Sequence, residues 1–201
     1  MTRLVIGDAA PLFRYGLVAL LDGMSDLEVV AAADSGEKVV KAGLEHRPDV
    51  AVLDVDLPDM DGFTASEMLH DEVPECLSVL MTTRSRPGDV RRAASAHALG
   101  LVLKDTSPDG LVAAVRKVAR GRRVVDPDLA FTELSAAENP LTDREREVLV
   151  LASRGASADQ IADSLLLAIG TVRNHLSRIN RKIGARNRVH AIRIAEEAGW
   201  L

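Results

Sequence analysis

Five times before Arg120 the chain passes from a short apolar run into a pattern with helical spacing, and this alternation restricts the fold more than any other feature. Leu4 to Ile6, Leu27 to Ala33, Val50 to Asp54, Leu77 to Thr82 and Leu101 to Leu103 read as strands. Pro11 onward, Ser35 to about His46, Phe63 to Leu69, Asp89 to His97 and Pro108 to Arg120 read as helices, with Ser35 and Ser107 as caps and Pro108 in a first turn. Strands joined by crossover helices pair in parallel. Runs such as Val50 to Leu53 are apolar throughout rather than at alternate positions, as a strand covered on both faces requires. The expected fold is α/β: a doubly wound, five-stranded parallel sheet.

Ligands of such sheets bind outside the carboxyl ends of the strands. Asp8, Asp54, Thr82 and Lys104 fall at or just beyond four of those ends. Any one of them alone reads most simply as a solvated loop residue. As a group they carry more. Two carboxylates brought together repel unless a cation compensates, and a cluster of oxygen ligands suits Mg²⁺. A carboxylate, a cation, a hydroxyl and an ammonium together make a site for an aspartyl phosphate.

Beyond Arg120 the alternation stops. Residues 123–139, where Pro127, the following Pro140 and small side chains break the pattern, read as a linker with a helical turn around Leu129 to Leu134. From Leu141 the pattern is helical only. Thr142 with Glu145, and Ser157 with Gln160, have the spacing of capping boxes; Gly155 and Gly184 stop helices, and Asn187 caps a last one reaching about Ala198. In the third of these helices, Thr171 to Ile183, one stripe holds Val172, Leu176, Ile179 and Ile183. The rest of its surface, with Thr171 at the start, carries Arg173, Asn174, Ser177, Arg178, Arg181 and Lys182 and no acid. A solvated face would normally mix charges. Arg and Asn make paired hydrogen bonds to guanine and adenine in the major groove, so this helix is a candidate for reading DNA.

The charge supports two parts with different partners. Up to Glu138 there are 15 Lys and Arg against 23 Asp and Glu, a net of −8, and from Asn139 onward 10 against 7, a net of +3. A length of 201 residues accommodates two domains. A single cysteine, Cys76, excludes an internal disulfide. No apolar run approaches the ~20 residues of a membrane span, and the N-terminus lacks the plan of a secretion signal, so a cytoplasmic protein without membrane contact is expected.

The motifs LPDMDG, with Pro58 and Gly62, and LKDTSP, with Lys104, make residues 1–122 resemble a response-regulator receiver domain. LTDREREVL, GTVRNHL and RKIGARNRVHAI make residues 140–201 resemble the four-helix LuxR-type helix-turn-helix domain. The whole chain is thus similar to response regulators of the NarL/FixJ type. The resemblance implies that Asp54 accepts the phosphoryl group, that Thr82 and Lys104 contact it, and that Asp8, Asp54 and the main-chain carbonyl of Asp56 hold Mg²⁺. It further implies a sensor histidine kinase as donor, a homodimer, and DNA carrying an inverted repeat as target. Several positions depart from the pattern. Ala9 replaces the second acidic residue after the first strand, which weakens the metal site. Leu101 replaces the aromatic switch residue, His97 stands where glycine is usual, Ala168 where serine is common, and Asp159 where a basic or polar residue is common.

Ala9 and Leu101 also leave room for a regulator switched by a small-molecule ligand or permanently dimeric. A different class of function, an aspartate-nucleophile phosphatase, is suggested by Asp54-Val55-Asp56. It is disfavoured because that spacing normally follows the first strand and because it leaves residues 140–201 unexplained.

Overall fold

The computed structural model describes residues 1–135 and 139–201, and within them the chain forms two compact units. The first is a parallel sheet. Its strands are β1 (Thr2–Gly7), β2 (Leu27–Ala33), β3 (Val50–Asp54), β4 (Leu77–Thr82), β5 (Gly100–Leu103) and β6 (Val124–Val125), in the order β2-β1-β3-β4-β5-β6. The helices between them are α1 (Pro11–Asp22), α2 (Gly36–His46), α3 (Gly62–Glu72), α4 (Asp89–Ser95) and α5 (Pro108–Val118), followed by α6 (Pro127–Ser135).

Alternation along the strands divides the core between the two faces of the sheet. Val5, Ala51, Leu53 and Leu80 pack with Val39 and Val40 of α2 and with Phe63, Ala65 and Leu69 of α3. Leu4, Ile6, Val50, Val52, Val79 and Met81 pack with Leu17 and Leu21 of α1 and with Leu111, Val112 and Val115 of α5. All five residues of β3 are buried, as its unbroken apolar run requires. The chain leaves β1 for β2 on one side and returns through β3, β4 and β5 on the other. Strand order therefore reverses between β1 and β3, where a doubly wound sheet opens its crevice.

Four expectations are corrected here. The sheet has six strands, because Val124 and Val125 pair with Gly100 and Leu101. Their amides occupy an edge that β5 would otherwise expose: Val124 N–H donates to the Leu99 carbonyl (2.8 Å) and Asp126 N–H to that of Leu101 (2.9 Å). The stretch expected to be a linker thus begins as a strand and continues as α6, which Asp126 starts by accepting the Asp128 N–H (3.0 Å). Residues 136–138 of that linker lie outside the described residues. Ser35 precedes α2 but its hydroxyl makes no capping bond. Instead Gly36 N–H is met by the Asp59 carboxylate (3.1 Å). The fourth helix stops at Ser95, because His97 takes the left-handed backbone (φ 57°) and Ala98 N–H bonds back to the Ala93 carbonyl.

The second unit is helical: α7 (Asp143–Ser153), α8 (Ala158–Leu165), α9 (Ile169–Lys182) and α10 (Arg188–Glu197). Both expected capping boxes form, Thr142 with Glu145 and Ser157 with Gln160. Val148, Leu149, Ile161, Val172, Ile179, Ala191 and Ala195 make its core. No helix among the described residues is long and apolar enough to cross a membrane.

Candidate functional site

Asp8 follows β1, Asp54 ends β3, Thr82 ends β4 and Lys104 follows β5, and the parallel register brings all four to one edge. Asp8, Asp54 and Thr82 are buried, Asp8 completely. The Lys104 ammonium lies between the two carboxylates, 2.6 Å from Asp8 Oδ2 and 2.8 Å from Asp54 Oδ2. Burial pulls on this ammonium most strongly and would lower its pKa. The hydrogen bonds and charges of Asp54 and Asp8 outweigh it, so Lys104 is held above its ordinary value and stays protonated.

Two further bonds fix the acids. Asp8 Oδ1 accepts the Ala10 N–H (2.8 Å) and Asp54 Oδ1 accepts the Asp56 N–H (3.2 Å). The Asp56 side chain itself is exposed. Thr82 sits at the neighbouring strand end, where its hydroxyl donates to the Arg84 carbonyl (2.9 Å) and accepts the Arg84 N–H (3.2 Å). Two residues at this site gave no sequence signal. Arg14 donates to the Asp8 carbonyl (2.5 Å), and the Phe13 ring lies 4.7 Å from Lys104 Nζ. Pro11 starts α1 immediately after the strand end and so turns residues 13 and 14 back over it.

Two carboxylates against one ammonium leave a net negative charge in a crevice. Ala9, half-buried beside Asp8, adds no ligand. Among the described residues no group of three His, Cys, Asp or Glu side chains is arranged around a metal position. The donor types still suit Mg²⁺, which is held by one or two carboxylates and otherwise by water and phosphate oxygens.

In the second unit Arg144 donates to the Leu165 carbonyl at the end of α8 (2.6 Å), and Arg188 donates to the carbonyls of Ala152 (2.6 Å) in the last turn of α7 and of Ala156 (2.7 Å) in the loop after it. The two arginines thus fix how α7, α8 and α10 meet. Neither was singled out from sequence, since an arginine in an amphipathic pattern reads as solvated. Leu166, in the left-handed region (φ 53°), turns α8 into α9. On α9, Val172 and Ile179 are buried and Leu176 and Ile183 pack beside them. The opposite face exposes Arg173, Asn174, Ser177, Arg178 and Arg181, with Thr171 half-buried at its start. Lys182 is different. Its ammonium pairs with buried Glu145 (2.6 Å) and donates to the Pro140 carbonyl (3.2 Å), which ties α9 to the start of α7 and removes it from the set facing solvent freely.

Residues 4–116 match the response regulator receiver domain, and residues 139–195 match the bacterial regulatory proteins of the luxR family. The chain belongs to the response regulators. It is 40% identical to the uncharacterized transcriptional regulatory protein YvfU of Bacillus subtilis, over the whole of both chains. It is 41% identical to the response regulator RamR of Streptomyces coelicolor, over 100% of this chain and 98% of that one. Among solved structures, the response regulator ChrA of a heme-sensing two-component system is 33% identical, with a TM-score of 0.58, over 97% of this chain and 96% of that one. This response regulator is accordingly a DNA-binding transcription regulator of a two-component system, and the phosphatase reading has no comparable support.

Proposed function

We propose that Asp54 is the phosphoryl acceptor, with DNA binding by α9 as the output. The observation carrying this reading is the buried grouping of Asp8, Asp54 and Lys104 at the strand-order reversal, an arrangement suited to an acyl phosphate. An Asp54 carboxylate oxygen attacks the phosphorus of a donor, the histidine of a sensor kinase, and the phosphorus–nitrogen bond breaks. Lys104 holds positive charge beside the transferring group. Thr82 reaches the same group once its hydroxyl leaves the Arg84 carbonyl. Asp8, Asp54 and the Asp56 carbonyl would hold Mg²⁺, which would supply positive charge to offset that of the phosphoryl oxygens. In this reading the chain is a cytoplasmic regulator rather than an enzyme.

The lost ligand at Ala9 makes metal binding weak and phosphorylation slow. Ala9→Asp should raise Mg²⁺ affinity roughly tenfold, about 1.4 kcal/mol. It should also speed labelling of Asp54 by a small phosphoryl donor, with Asp54→Asn as the unlabelled blank. Calorimetric Mg²⁺ titration and mass spectrometry of the intact chain read the two effects. Rapid labelling of the natural protein with no gain from Ala9→Asp would sink the metal argument.

The DNA-facing residues are Thr171, Arg173, Asn174, Ser177, Arg178 and Arg181, and the target is an inverted repeat bound by a homodimer that includes α10 in its pairing surface. Asn174→Ala should lose about 1 to 3 kcal/mol of discrimination at one base position. Arg178→Ala should weaken all sequences alike and reduce the salt dependence of binding by about one counterion. Binding measured on natural and substituted operators at several salt concentrations separates the two. No change from either variant at fixed salt would remove α9 from the groove.

A further inference from the structure

Between α1 and α5 the sheet unit has a groove of about 590 Å³, open to solvent beside exposed Leu12 and well within the range of small-molecule sites. Phe13, Leu17 and Leu20 of α1, Met81 and Leu103 of the strands, and Leu111 of α5 line it. Gly16 of α1 stands exposed on the rim of this space, and nothing approaches within 4 Å of where its Cβ would stand, so a side chain introduced there has room to lie across the opening.

The inner end of the groove is polar, with the Lys104 ammonium and Thr106 in its lining. An ammonium has three N–H donors. Two of Lys104's are taken by Asp8 and Asp54, and the Phe13 ring lies 4.7 Å from the nitrogen. An N–H facing only an aromatic ring remains able to serve a stronger acceptor. Asp8 and Asp54 outnumber the single ammonium, so the local field repels an acidic head, while Lys104 itself repels a cation at the point of contact. We propose that this groove is a binding site for an uncharged small molecule with an apolar body and one carbonyl-type acceptor directed at Lys104. The site does not depend on phosphorylation of Asp54, although it borders the same lysine and so offers a second input to that crevice.

Nile red, which is uncharged, largely apolar and carries a ring carbonyl, is a suitable probe. Titrated into the full chain, it should show a blue-shifted, saturable fluorescence with one site per chain. Gly16→Leu should lower its affinity at least tenfold and Gly16→Ala by a smaller factor, with thermal stability unchanged or raised in both. Phe131→Ser, which removes an exposed apolar side chain on α6, should leave the binding intact. The proposal fails if affinity is indifferent to both Gly16 variants or if Phe131→Ser abolishes it. It also fails if sedimentation gives one dye per dimer, since the groove is then covered by a second copy. Equally tight binding of the anionic probe anilinonaphthalene sulfonate, lost in Gly16→Leu, would overturn the uncharged head.

Discussion

Gly62→Ala should cost the sheet unit about 3 kcal/mol and lower its thermal midpoint by roughly 10 °C. A Cβ on Gly62 would stand 2.2 Å from the Asp54 carbonyl oxygen, 2.9 Å from its carbonyl carbon and 3.0 Å from Val55 Cα. All three are backbone atoms, so no rotamer change relieves the overlap. Gly62 N–H also donates to the Val55 carbonyl (3.1 Å), which closes the loop tightly at this point. Relief would require the start of α3 to move away from Asp54, which would stretch or break that Gly62–Val55 bond. Gly62 is not among the positive-φ glycines, so the penalty is close approach rather than an unusual backbone. Calorimetric unfolding, with phosphoryl labelling of Asp54 followed in parallel, measures both consequences. A midpoint within two or three degrees of the natural protein would show that the loop shifts freely.

The sheet was legible because strands such as β3 are continuous apolar runs bounded by helix signals, and continuous runs specify burial on both faces; β2, which carries Glu28 at the sheet edge, is only partly buried. The sixth strand was not legible, since two residues carry no periodicity. What places Val124 and Val125 is the open edge of β5, a property of the folded sheet. A local signal for α6 did exist, because Asp126 before Pro127 repeats the cap-and-proline arrangement of Ser107 and Pro108. Ser35 shows the opposite failure: a good capping residue whose buried hydroxyl makes no hydrogen bond, while the loop carrying Asp59 reaches Gly36 N–H from elsewhere in the chain.

At the acidic crevice, strand ends and residue chemistry indicate Asp8, Asp54, Thr82 and Lys104 from the sequence alone. The bonds from Arg14 and to the Thr82 hydroxyl depend on how a helix start and a loop fold back. On α9 the helical period separated core from surface correctly. It could not show that a neighbouring helix claims one of the surface charges, and Lys182 is where that limit appears.

Glu145→Gln should therefore cost the helical unit about 2 to 3 kcal/mol at pH 7. Oε2 of this buried carboxylate accepts the Thr142 N–H (2.9 Å), the Thr142 hydroxyl (3.1 Å) and the Lys182 ammonium (2.6 Å). An amide oxygen could keep the capping bonds, but the amide carries no charge to answer Lys182. The loss falls short of that for a fully buried pair because the Lys182 side chain is 37% exposed and can be rehydrated. The pH dependence gives the sharper test. Burial, the strongest single influence on Glu145, raises its pKa, but the bonds from Lys182 and Thr142 prevail and hold it below the ordinary 4.5. A carboxyl with a depressed folded pKa binds fewer protons folded than unfolded, so its contribution is complete above about pH 4.5 and lost as pH falls through the folded value. The stability gap between natural protein and Glu145→Gln should then be widest near neutrality and close on acidification below that point. Lys182→Met should destabilise the natural protein but add little in the Glu145→Gln background, because the two changes remove one interaction. Additive losses, or a gap unchanged from pH 7 to pH 3.5, would mean that Lys182 is free and belongs with the DNA-facing residues of α9.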